Sequence, residues 1–179
     1  MNAAVRVIAY LDRKGVVCAL IGGVALGAHG IARATLDADL LVADGIVLTR
    51  EFWRGLTGAG LPEIRRGDAD DPLGGVVRFA GDTESVDVLL GRGLWTSQIL
   101  ARRIRLRVQR RAVPVVDRAD LVGLKLFAGG PQDLLDVRLL VEADPALTRV
   151  VESRLGEAPR SVRQRWRRLM RSSRSPRDD

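Results

Sequence analysis

Residues 18–45 read CALIGGVALGAHGIARATLDADLLVADG and carry the clearest signal of the fold. The stretch holds an apolar segment, a glycine pair and the chain's only histidine, and it places Asp37 and Asp39 two residues apart inside an otherwise apolar run. A buried carboxylate is too costly to leave without a partner. The two aspartates therefore predict either a bound cation or an exposed edge of a sheet.

Residues 34–42 alternate between polar and apolar side chains, which predicts a strand with one polar and one apolar face. The predicted polar face carries Arg33, Thr35, Asp37 and Asp39. Along a strand the two aspartates would lie about 6–7 Å apart. This separation suits carboxylates that share Mg²⁺ ions, and two metal ions about 3.5–4 Å apart can assist an in-line displacement at phosphorus.

A third acidic residue shows the same apolar–acid–apolar pattern. Asp87 lies in SVDVLL (85–90), within the second strand of a hairpin that we predict from 76–80 and 84–91. A site for shared metal ions usually needs a carboxylate from a neighbouring strand, so Asp87 is the predicted third ligand. A solvated strand residue would show the same pattern, and this alternative stays open.

Gly22 and Gly23 stand between a predicted strand and a short predicted helix. Glycine lets the backbone approach a phosphate closely, and a helix that follows offers unpaired N–H groups. The order strand, glycine pair, helix, carboxylate strand predicts a triphosphate held between backbone amides and metal ions. Taken alone, a glycine pair is more often only a turn, and an Asp-x-Asp is more often an exposed strand edge or a cap. The ordered combination is what favours a phosphate and metal site.

The rest of the chain predicts a mixed α/β sheet domain followed by helices. Before residue 117 the predicted helices span 3–14, 24–29, 50–59 and 94–103, and the predicted strands span 16–21, 34–42, 76–80, 84–91, 103–109 and 113–116. After it, helices are predicted at 118–128, 132–142, 145–155 and 160–171. We therefore predict a core domain at 1–116, a helical part at 117–171 and a disordered tail at 172–179.

Composition restricts the kinds of site that the chain can build. It has one cysteine and one histidine, which excludes an internal disulfide, a Cys-based zinc site and His-rich metal sites. The formal charge of +7 favours polyanionic partners such as nucleic acid, although arginines on a solvated face would give the same total. We see no signal peptide and no apolar run of membrane-spanning length, so a cytoplasmic location is expected.

The pattern GG-x13-D-x-D after a strand resembles the nucleotidyltransferase fold of the DNA polymerase β superfamily. The fuller sequence of residues 22–42, GGVALGAHGIARATLDADLLV, looks like the AbiEii-type branch, which includes toxins of bacterial toxin–antitoxin and phage-defence systems. The block DLVGLKLFAGGPQDLLDV (120–137) is similar to the Lys–Asp helical segment of that branch. The resemblance covers roughly residues 16–142.

The resemblance implies an Mg²⁺-dependent nucleotidyltransferase that moves a nucleoside monophosphate from an NTP to an acceptor hydroxyl, with Mn²⁺ as an alternative ion. It implies RNA, such as a tRNA end, as the acceptor, a role as a toxin and an antitoxin protein as a partner. A protein or small-molecule acceptor such as an aminoglycoside, or a binding module without turnover, remain alternatives. By the same resemblance, Asp37, Asp39 and Asp87 are catalytic and hold two metal ions, Gly22 and Gly23 bind the triphosphate, Lys125 is a catalytic residue that contacts its phosphates, and Asp133 supports nucleotide binding and catalysis. On the predicted polar face, Arg33 is a candidate for a phosphate contact or a pair with Asp37, and Thr35 is a candidate for orienting an aspartate beside the nucleotide.

Lys125 is also unusual on its own terms. Lys14 and Lys125 are the only lysines of an arginine-rich chain, and Lys125 lies in the apolar helical segment LVGLKLFA. The use of lysine instead of arginine at position 125 therefore predicts a specific contact of its compact ammonium group. The family resemblance implies that this contact is with a phosphate. The alternative is a lysine whose stem covers an apolar flank while its head reaches solvent.

Overall fold

The computed structural model describes residues 2–35, 37–68, 73–81, 84–108 and 110–172. The chain forms two compact units, Met1–Asp117 and Arg118–Asp179. Within the described ranges, no helix is both long enough and apolar enough to cross a membrane. Leu36 of the predicted second strand, and the predicted tail beyond residue 172, lie outside the described residues.

The first unit is built around a mixed sheet, whose strands in the described part of the chain number seven. They are β1 Cys18–Ile21, β2 Ala38–Val42, β3 Pro62–Arg66, β4 Leu73–Ala80, β5 Ser85–Gly91, β6 Ile104–Val108 and β7 Arg111–Val115. Their order across the sheet is β3-β4-β5-β2-β1-β7-β6. β2 runs parallel to β5 and β1 runs parallel to β7, whereas the other neighbouring strands are antiparallel.

Three helices accompany the sheet: α1 Asn2–Arg13, α2 Gly22–Ala28 and α3 Gly93–Ala101. Apolar residues recur at helical spacing along α1, so that one stripe of the helix is buried. That stripe consists of Ala4, Val7, Ile8 and Leu11. Gly15, with φ of +72°, follows the last turn and lets the chain reverse toward β1.

The two faces of the sheet differ in polarity. On the central strands one face is apolar and fully buried, and it carries Ala38, Leu40, Val77, Phe79, Val86 and Val88. Because side chains of a strand alternate between faces, the opposite face carries Asp39, Arg78 and Asp87. Burial of the apolar face thus fixes which way these three charged side chains point.

The second strand is shorter than the sequence predicts. It begins at Ala38, so Arg33, Thr35 and Asp37 precede it and the prediction of a strand from residue 34 is wrong. The antiparallel partner β1 ends at Ile21, opposite Asp39, because helix α2 starts at Gly22. The residues before Ala38 therefore have no β1 backbone to pair with. The glycine pair is also part of α2, which begins two residues earlier than predicted.

The predicted helix at 50–59 is wrong. Within 50–59 the structure has a single turn of 3-10 helix, Glu51–Trp53, and another such turn, Gly45–Leu48, precedes it. Gly58 and Gly60 both have positive φ values, which a helix does not accept. The chain then enters β3, an edge strand that the sequence pattern did not predict.

The second unit consists of helices α4 Arg118–Ala128, α5 Pro131–Ala143, α6 Leu147–Arg154 and α7 Arg160–Ser172. Its core is formed by Leu121, Val122, Leu126, Val137, Leu140, Val151, Val162 and Trp166. Arg165 of α7 donates hydrogen bonds to the carbonyls of Leu126 and Phe127, at 2.7 and 2.6 Å, and so satisfies the end of α4. The predicted fold class, a mixed sheet with helices followed by a helical part, is confirmed.

Candidate active site

Asp39 and Asp87 are direct neighbours on adjacent parallel strands. Asp39 of β2 is in register with Asp87 of β5, and on its other side it faces Ile21 at the end of β1. Adjacent strands lie about 4.8 Å apart. The two carboxylates therefore share one face of the sheet at the point where β1 gives way to α2.

Asp37 joins this pair from just outside the sheet. Its side chain is exposed, and its Oδ1 accepts a hydrogen bond of 2.7 Å from the hydroxyl of Ser85. Ser85 lies two residues before Asp87 on β5 and so shares its face. Asp37, Asp39 and Asp87, the three predicted metal ligands, are thus brought to one end of one sheet face.

Gly22 packs against the carboxylate of Asp39. Its φ is +66°, and a Cβ atom at this position would lie 2.1 Å from Oδ2 of Asp39. Both features require glycine, because a side chain would be strained and would also occupy the place of the carboxylate. A Cβ on Gly23 would lie 3.0 Å from Cγ2 of Thr35, so Gly23 packs on the segment that leads to Asp37.

Asp87 forms an ion pair with Arg78 that the sequence reasoning missed. Arg78 lies on β4 in register with Asp87, and its Nε and Nη2 donate to Oδ1 and Oδ2 at 2.8 and 2.7 Å. These hydrogen bonds, with the charge of Asp87, raise the pKa of the Arg78 guanidinium above its ordinary value. Alternation along VVRFA places Arg78 opposite the buried Val77 and Phe79, but only the strand register shows its partner.

Three other polar residues surround α2. His29 donates from Nε2 to the carbonyl of Val116 at 2.8 Å, which ties the end of α2 to the segment after β7. Thr35 donates to the backbone carbonyl of Asp37 at 3.2 Å, and both Thr35 and Arg33 are exposed. Thr35 thus orients the chain next to Asp37, which is consistent with its predicted place in the site.

Lys125 lies in the helical unit and is almost completely buried there. Its Nζ contacts Oδ1 of Asp133 at 2.9 Å and Oδ2 of Asp136 at 2.8 Å. Asp133 also accepts a hydrogen bond of 3.2 Å from the backbone N–H of Gly130 and so caps α5, while Gln132 donates to Asp136. Lys125 and Asp133, both predicted to bind nucleotide, are therefore partners of each other within this unit.

The donor set suits a divalent metal ion in kind. Carboxylate oxygens are the ligands that Mg²⁺ and Mn²⁺ take, and the missing Cβ of Gly22 lets the Asp39 carboxylate occupy its place at the end of β1. Over the residues that the structure describes, no three His, Cys, Asp or Glu side chains converge on a single point as metal ligands would. Asp87 is held by Arg78 and Asp37 by Ser85, so binding an ion requires these side chains to turn.

A cleft of about 650 Å³ lies at the other end of β1, between α1 and the hairpin of β6 and β7. Its wall includes the buried Cys18, whose thiol pKa is raised by burial to about 11, although the positive charge of Arg103 acts in the opposite direction. Such a thiol is protonated near neutral pH and is not a nucleophile. The lining of this cleft comes from residues other than the three aspartates.

Comparison with known proteins gives a likeness of structure rather than of sequence. No family model matches the chain. No curated protein matches it either. Among solved structures, a Thermotoga maritima protein assigned as a nucleotidyltransferase has a TM-score of 0.55 at 11% identity, covering 79% of this chain and 92% of that one.

The antibiotic-resistance factor ANT(2'')-Ia is also similar. Its solution structure has a TM-score of 0.59 at 13% identity, covering 96% of this chain and 95% of that one. Its crystal structure in complex with adenylyl-2''-tobramycin has a TM-score of 0.54 at 14% identity, covering 86% of this chain and 98% of that one. At these identities the likeness establishes the fold, which is that of the nucleotidyltransferases.

Proposed function

We propose that this chain is a nucleotidyltransferase that moves a nucleoside monophosphate from an NTP to a hydroxyl group of RNA and releases pyrophosphate. The observation that carries the proposal is the set of three aspartates on one sheet face, with Gly22 packed against Asp39, in a nucleotidyltransferase fold. A binding module without turnover would have no need of three carboxylates at one end of one sheet face, and we therefore favour an enzyme.

In the proposed mechanism, Asp37, Asp39 and Asp87 would hold two Mg²⁺ ions, or Mn²⁺ in their place. Bound there, the metal supplies positive charge that neutralises the phosphates and favours ionisation of the acceptor hydroxyl. Asp87 accepts the proton of that hydroxyl. The backbone N–H groups of Gly22 and Gly23 bind phosphate oxygens, which the small glycines leave accessible.

Further predicted contacts complete the nucleotide site. Arg33 and Thr35, both exposed in the segment before β2, contribute charge and a hydroxyl for the phosphates. Lys125 and Asp133 remain predictions as nucleotide-binding residues.

The acceptor is the least constrained part of the proposal. An aminoglycoside, such as the one adenylylated in the ANT(2'')-Ia complex, carries several ammonium groups, whereas this chain has a formal charge of +7. Helix α7 alone, RSVRQRWRRLMRS, has six arginines and no acidic residue. Because like charges repel, these charges favour a polyanionic acceptor, and we propose RNA rather than an aminoglycoside. The toxin role, the antitoxin partner and the cytoplasmic location belong to the same proposal.

The direct test is a transfer assay. The protein is incubated with each of the four NTPs labelled on the α-phosphate, with Mg²⁺, and with total RNA, tobramycin or a polypeptide mixture. We expect label to enter RNA and to require Mg²⁺. Label on tobramycin or on polypeptide would replace RNA as the acceptor, and absence of transfer from every NTP to every acceptor would overturn the enzymatic proposal.

Gly22→Ala should lower the transfer rate about a hundredfold, because displacing a catalytic group by about 1 Å has an effect of this size. The new methyl group would lie 2.1 Å from Oδ2 of Asp39 and must push that carboxylate away. The rate is measured at saturating NTP. Gly27→Ala in the same helix is the matched control, since a Cβ there meets nothing within 4 Å. Equal rates for the two variants would contradict a role for Gly22 in placing Asp39.

Replacing Arg103, Arg105 and Arg107 with glutamine should weaken RNA binding and flatten its dependence on salt. All three side chains are exposed, and they alternate along β6 and the residue before it. Three lost phosphate contacts would reduce the slope of log K against log salt by about 2 for single-stranded RNA. Fluorescence anisotropy of a labelled oligonucleotide at several salt concentrations gives this slope.

A triple glutamine variant at Arg50, Arg54 and Arg149 is the control for this measurement. These arginines are exposed as well, so the control removes the same net charge from other surfaces. A slope that falls equally in both variants would indicate a general effect of charge. An unchanged slope for the β6 variant would mean that these arginines form a solvated face and that RNA binds elsewhere.

A further inference from the structure

Arg78 occupies the centre of a charged row that crosses the sheet. In register order the row runs from Glu63 on β3 through Arg78 on β4 and Asp87 on β5 to Asp39 on β2. Arg78 thus has an acidic neighbour on each side. Its guanidinium makes both side-chain hydrogen bonds to Asp87, while Glu63 accepts from Arg65 instead.

Arg78 therefore pairs with Asp87 and not with Glu63. The pair uses both oxygens of the carboxylate, and the Asp87 side chain is only 16% exposed while that of Arg78 is 46% exposed. A paired, half-buried carboxylate next to Asp39 avoids the repulsion that two neighbouring unpaired carboxylates would suffer. The guanidinium of Arg78 is the more exposed partner, so it can turn into solvent when a cation takes its place beside Asp87.

We propose that Arg78 is a positioning residue that competes with a divalent cation for Asp87 and thereby lowers the affinity of the site for that cation. The inference rests on the proposed function. A metal ion at Asp39 and Asp87 must either displace the guanidinium or bind beside it. Displacement breaks the ion pair between Arg78 and Asp87, and binding beside the guanidinium brings two positive charges close together, so both lower the affinity for the ion. Arg78 thus holds the Asp87 carboxylate in place and yields it only to a cation that binds it more strongly.

The test measures Mn²⁺ binding directly, through the electron paramagnetic resonance signal of free Mn²⁺, without any nucleotide. Arg78→Gln should lower the Kd for Mn²⁺ about tenfold, because one unit of nearby positive charge is removed. A purely structural role for Arg78 predicts the opposite sign, since a loosened Asp87 would bind the ion more weakly. Arg78→Lys keeps the charge, so its Kd should stay within about threefold of the original protein.

Arg65→Gln is the matched control, because Arg65 also makes two hydrogen bonds to a carboxylate on the same sheet, that of Glu63. Its Kd should be unchanged, and Arg78→Gln combined with Asp87→Asn should lose the gain. Equal or weaker Mn²⁺ binding by Arg78→Gln, or an equal gain in Arg65→Gln, would overturn the inference. Nucleotide transfer by the unmodified protein is measured separately, so the proposed function and this inference can fail independently.

Discussion

Asp39→Asn should reduce nucleotide transfer by at least about a thousandfold, which corresponds to about 4 kcal/mol of transition-state stabilisation. Asp39 lies between Asp87 and the end of β1 and contacts Gly22, so it is central to the predicted metal site. Asparagine keeps the size of the side chain and removes its charge. The measurement is single-turnover transfer of labelled nucleotide, and Asp37→Ala should show a similarly large loss.

The thermal stability of Asp39→Asn shows whether activity is lost because a metal ligand is missing or because the protein is unfolded. Asparagine fills the same space as aspartate, so the midpoint of thermal unfolding of Asp39→Asn should stay within about 4 °C of the original, the shift that about 1 kcal/mol gives a chain of this size. Asp44→Asn is the control, because Asp44 follows the opposite end of β2 and only accepts a hydrogen bond from the N–H of Ile46. Asparagine caps equally well there, so activity should be normal. Retention of more than about a tenth of the rate by Asp39→Asn would contradict the metal assignment, since a ligand contributes more than that.

The sequence pattern located Asp39 and Asp87 because strand periodicity carries information about faces. An acidic residue between two buried apolar residues of a strand must point to the opposite face of the sheet. When two such strands bury their apolar side chains on the same face, their acidic side chains share the other face. Asp37 was predicted to lie inside the strand, whereas in the structure it precedes the strand. Its position depends on where β1 ends, at Ile21, which the alternation of residues 34–42 does not report.

Arg78 and Ser85 were missed for a related reason. Arg78 contacts Asp87, and Ser85 contacts Asp37, both across neighbouring segments of the sheet. The residue pattern of one strand does not determine its register with the next strand, so these contacts could not be predicted from the sequence. Long helices were easier to predict, and α4 has the predicted bounds of 118–128. Several turns of apolar spacing define such a helix, whereas the glycines after Trp53 prevented the predicted helix at 50–59 from forming.

Lys125→Met should lower the free energy of unfolding by about 3–5 kcal/mol, because removing one partner of a buried ion pair leaves an uncompensated charge. The side chain of Asp136 is 1% exposed and that of Lys125 is 8% exposed, so water cannot replace the ammonium. Asp133 is 24% exposed and suffers less. Urea denaturation followed by circular dichroism measures the change. Lys14→Met, at the other lysine of the chain, should cost no more than about 1 kcal/mol. Lys14 is exposed, its backbone hydrogen bonds survive the substitution, and its ammonium lies over the ring of Tyr10 in a cation–π geometry.

A second change distinguishes charge from packing at this position. Lys125→Met combined with Asp136→Asn removes the stranded charge, so it should be more stable than Lys125→Met alone. If instead Lys125→Met unfolds at the same urea concentration as the original protein, the two ion pairs do not explain why a lysine stands here. The apparent KM for NTP of Lys125→Met then decides, because the loss of a phosphate contact would raise that KM without lowering stability. A stable variant with normal KM would remove Lys125 from both roles.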